Sequence, residues 1–103
     1  MQLSRLWREH RDAGCPSELK GVEIAGSDVR DLDAEITACV SAAMCRALVV
    51  DGRIERRLKE ISTALADKQA AVGEPAAAYY ARLNELVHAV LVESRADTKP
   101  GRN

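Results

Sequence analysis

Apolar residues recur every three or four positions along four stretches of the chain, the period of a helix buried on one side. The shortest stretch runs over 3–13, where Leu3, Leu6, Trp7 and His10 share a face. Gly14 is a natural stop for it. A helix this short is marginal alone in water, so it is expected to dock, with Trp7 as its anchor.

Leu32 to Val50 is the longest weakly charged run in the chain. It reads as the central helix, spanning about 28–51. Ser27 or Asp28 caps its start, and Asp51-Gly52 closes it through a left-handed glycine. Leu32, Ile36, Cys39, Val40, Ala43, Ala47 and Val50 fall on one broad face. A second face carries only small or apolar residues: Ala34, Ala38, Ala42, Cys45 and Val49. A helix apolar on two sides is expected to be covered on two sides.

A third helix follows at once over 53–72, so the pair folds back as an antiparallel hairpin. Ile54, Leu58, Ile61, Leu65 and Val72 make its narrow seam, with Lys68 in the remaining seam position. The last helix, over 75–95, has a wide face of Ala76, Tyr79, Tyr80, Leu83, Leu86, Val87, Val90 and Leu91. Residues 97–103 read as a flexible polar tail. The connector from Cys15 to Ser27 is broken by Pro16, Gly21 and Gly26. Within it, 16–19 suits one helical turn, and Val22 and Ile24 suit an extended segment packed on the helices. The expected fold is all-α: an antiparallel three-helix (up-down-up) bundle with a short N-terminal helix packed on it, in a single domain over 1–96.

Composition supports that reading. The chain has 103 residues, no Phe and 3% aromatics, so the core is aliphatic. Its net charge of −1 gives no molecule-wide field for nucleic acid or an anionic membrane. No apolar run approaches the roughly 20 residues of a spanning helix, and the N-terminus shows no export signal. Three cysteines without paired spacing read as reduced thiols, which places the protein in the cytoplasm. The richness in Ala and Arg suggests a bacterial source.

Candidate chemistry is sparse. His10, Cys15, Cys39, Cys45 and His88 are the soft metal ligands, but they form neither CxxC nor HxxxH, so no metal and no cofactor is expected. Cys39 and Cys45 read as small interface or core residues, and His88 as the flank of its helix. Cys15 with His10 is the one pair that suits a small Cys/His-dependent enzyme or metal-binding protein. Asp31, Asp33 and Glu35 read as a solvated helix start. No Gly-rich loop cradles a phosphate. The turn Val50-Asp51-Gly52 lacks the tryptophan of a tryptophan–glycine hairpin, and no family is recognised.

Two surfaces remain. Arg53, Arg56, Arg57 and Lys59 crowd the start of one helix, where the dipole disfavours cations, and suit a nucleic acid or other polyanion. Ala34, Ala38, Ala42, Cys45 and Val49 suit close approach of a second copy or a protein partner, unless the N-terminal helix and Val22–Ile24 cover them. The leading expectation is a non-enzymatic association module that self-associates.

Overall fold

A computed structural model describes residues 2–14, 16–19, 21–45 and 51–98. It contains four α-helices: α1 (Gln2–Ala13), α2 (Val29–Met44), α3 (Gly52–Ala71) and α4 (Ala76–Thr98). The all-α bundle expected from the periodicity is the observed architecture. A 3-10 turn at Ser17–Leu19 and a two-stranded antiparallel hairpin, β1 (Glu23–Ile24) and β2 (Ser27–Asp28), fill the connector.

The hairpin turns on Ala25 and Gly26, at φ 54° and 84°. Two positive φ values in a two-residue loop match the twist of the strands it joins. Ile24 drops into the core at 2% exposure, and Val22 packs against it, as the alternation of the segment implied.

The core gathers Leu3 and Leu6 of α1, Val29, Leu32, Ile36 and Val40 of α2, and Leu58, Ile61 and Leu65 of α3. To these α4 adds Ala76, Tyr79, Tyr80, Leu83, Leu86, Val87 and Val90. It is α4, not α2, that the other helices share: α1, α2 and α3 all pack against it, and α2 and α3 approach it more closely than each other. The expectation of a central α2 is corrected on this point. Absence of charge marked α2, but α4 carries large buried side chains around more of its circumference, and it is those that fix the middle of a bundle.

Two helix ends also differ from expectation. α2 stops at Met44, with Cys45 as its C-cap at φ −89° and ψ 2°. Residues 46–50, which the expected helix included, lie outside the described residues. Asp51-Gly52 does not close α2. It opens α3, where the Asp51 carboxylate accepts from the backbone N–H groups of Arg53 and Ile54 at 3.1 and 3.0 Å. Gly14 does follow the last turn of α1 in the left-handed region, at φ 72°, and its N–H donates to the His10 carbonyl. Among the described residues no helix is long and apolar enough to cross a membrane.

Candidate functional site

The outward face of α2. The large side chains Leu32, Ile36 and Val40 are fully buried, whereas Ala34, Ala38 and Cys45 are exposed and Ala42 is half-buried. Val49 lies outside the described residues. The N-terminal segment does not cover this face. α1 packs mainly on α4 and reaches α2 along one flank, through Asp33 and a contact of Ser4 with Met44. The hairpin sits at the start of α2 and against α3. Beside the face, between α2 and α3, lies an apolar recess of about 180 Å³, lined by Cys39, Ile54 and Leu58 with Glu35, Arg53 and Arg57 at its edge. Burial raises the thiol pKa of Cys39, and the Glu35 charge adds to the effect, so this cysteine stays protonated.

The basic start of α3. The four cations expected to act together are split in function. Arg57 turns inward: its Nε and Nη2 donate to the two carboxylate oxygens of Glu35 at 2.9 and 3.0 Å. Its Nη1 donates to the Ala25 carbonyl at 2.8 Å and to Glu60 at 3.2 Å, and Nη2 also reaches Ser27. Hydrogen bonding to Glu35 is the main cause that raises its pKa. Lys59 pairs with Glu55 at 3.3 Å. Arg53 and Arg56 are exposed, and among the described residues neither forms an ion pair. They line a shallow basin with Lys59, Glu60 and Thr63.

The His10 cluster. His10 is buried at 4% exposure, and its Nε2 lies 2.9 Å from Oδ2 of Asp33. The Tyr79 hydroxyl donates to the same oxygen. Three helices thus converge on one carboxylate. The His10 and Tyr79 rings are 5.5 Å apart, at an interplanar angle of 33°. Burial pushes the Asp33 carboxyl up, but the hydrogen bonds from His10 and Tyr79, with the His10 charge, hold it below its ordinary value. An ionised carboxylate only accepts, so Nε2 carries a proton toward it. Nδ1 of His10 is buried without a partner.

The side-chain pairing corrects one expectation. Asp33 and Glu35 are not a solvated helix start: both are half-buried and paired, and only Asp31 of the three is exposed. Alternating acidic residues suggested hydration, yet 33 and 35 fall on the two flanks of α2 that meet α1 and α3. His10 has Asp33 as its partner, while Cys15 lies outside the described residues. His88 is exposed, 2.8 Å from the hydroxyl of Ser62, which also donates to Asn84. Among the described residues no group of three His, Cys, Asp or Glu side chains converges as a metal site would. No family model, no curated protein and no solved structure matches the chain.

Proposed function

We propose that the chain is a non-enzymatic association module that pairs with a second copy of itself through the outward face of α2. One observation carries this reading: Ala34, Ala38 and Cys45 stay exposed with the other described segments packed, while the large side chains of the same helix are fully buried. Small side chains let two helix backbones approach closely, and a two-fold axis across α2 would use the same surface twice. The apolar recess at Cys39, Ile54 and Leu58 extends the surface toward α3. A different protein with a matching helix fits the same face. The proposed setting is the cytoplasm of a bacterium, supported by the unpaired cysteine spacing and the composition.

Sedimentation velocity at high micromolar concentration tests the reading. The expected result is a dimer that Ala38→Arg converts to a monomer, with a thermal midpoint equal to the parent's at dilutions where the parent is itself monomeric, since Ala38 is exposed in the single chain. A parent chain that stays monomeric at that concentration overturns it.

A second reading rests on Arg53 and Arg56, exposed cations of this patch that form no ion pair among the described residues. They suit weak contact with the phosphates of a nucleic acid or another polyanion.

A further inference from the structure

We draw no further inference here: the strongest candidate, the apolar recess of Cys39, Ile54 and Leu58 between α2 and α3, opens beside the face already proposed for self-association, and with Arg57 and Glu35 at its edge satisfying each other, nothing in the structure shows what else would cover it.

Discussion

Arg57 donates to both carboxylate oxygens of Glu35 and, through a third nitrogen, to the carbonyl of Ala25. One guanidinium therefore ties α3 to α2 and to the turn of the hairpin. The planar fork makes this possible, because two parallel N–H groups match two carboxylate oxygens and leave Nη1 for the turn. Arg57→Ala is expected to cost about 1–3 kcal/mol in chemical denaturation. Arg57→Lys should lose most of the same amount, since an ammonium has no bidentate geometry. A lysine variant as stable as the parent would show that charge alone holds the contact.

The turn that Arg57 grips places Ala25 in the left-handed region, at φ 54°. A Cβ there costs about 1–2 kcal/mol. Glycine removes that cost but adds roughly 0.5–1 kcal/mol of chain entropy in the unfolded state. Ala25→Gly should therefore raise stability by about 0.5 kcal/mol, seen as a small upward shift in denaturation midpoint. A clear loss would place the turn in a different conformation.

α3 and α4 make the most extensive helix–helix contact among the described residues. Ile61 and Leu83 are fully buried on opposite sides of it. Each substitution to Ala removes buried methyl groups and leaves a cavity, so each should cost about 2–5 kcal/mol. Urea curves for Ile61→Ala and Leu83→Ala provide the measurement. Curves that overlay the parent would contradict this packing.

Asp33 makes stability depend on acid. Its carboxyl is held below its ordinary value of 3.8 in the folded chain and titrates near that value once unfolded. A group with a depressed folded pKa contributes fully above its unfolded value, and the contribution fades as pH falls through the folded one. Asp33→Asn should therefore be less stable than the parent at pH 7, by about 1–3 kcal/mol. The gap between the two proteins should narrow toward pH 3. A gap that is constant from pH 7 to pH 3 would mean that the ionised carboxylate is not what binds His10 and Tyr79.

The second functional reading has a salt signature. With Arg57 committed to Glu35, two to three cations are left to release counterions: Arg53, Arg56 and, when its pair with Glu55 opens, Lys59. The logarithm of any affinity for duplex DNA should then fall against the logarithm of salt with a slope of about −2 to −3. Fluorescence anisotropy with a short labelled duplex measures it. A slope near −4 would require Arg57 to leave Glu35 on binding.

The periodicity exposed most of the fold. Leu58, Ile61 and Leu65 announced the α3 seam, and Leu3, Leu6 and His10 announced the inner face of α1, because neighbours three and four apart share a side. The pairs that give the chain its polar interior were hidden for a physical reason. His10 meets Asp33 and Tyr79, and Arg57 meets Glu35, across 22 to 46 or more positions, set only once the helices pack. Arg57 resembled its neighbours Arg53 and Arg56 in sequence. What separates it is its angle around α3, about 100° from Leu58 and toward α2. The exposed Ala34 and Ala38 were legible as a distinct face. That α1 leaves them open was not, since it depends on α1 preferring α4.

That preference has a consequence for how the chain is made. The helix that α1, α2 and α3 all pack against is the last of the four to leave the ribosome. Until α4 emerges, Leu3, Leu32, Ile36, Ile61 and Leu65 have lost their shared neighbour, and a nascent chain ending near Ala71 presents their faces to water. Packing of α1, α2 and α3 is therefore held back until α4 has emerged, and a chain still without α4 is the form in which these apolar faces are open to chaperones or to one another.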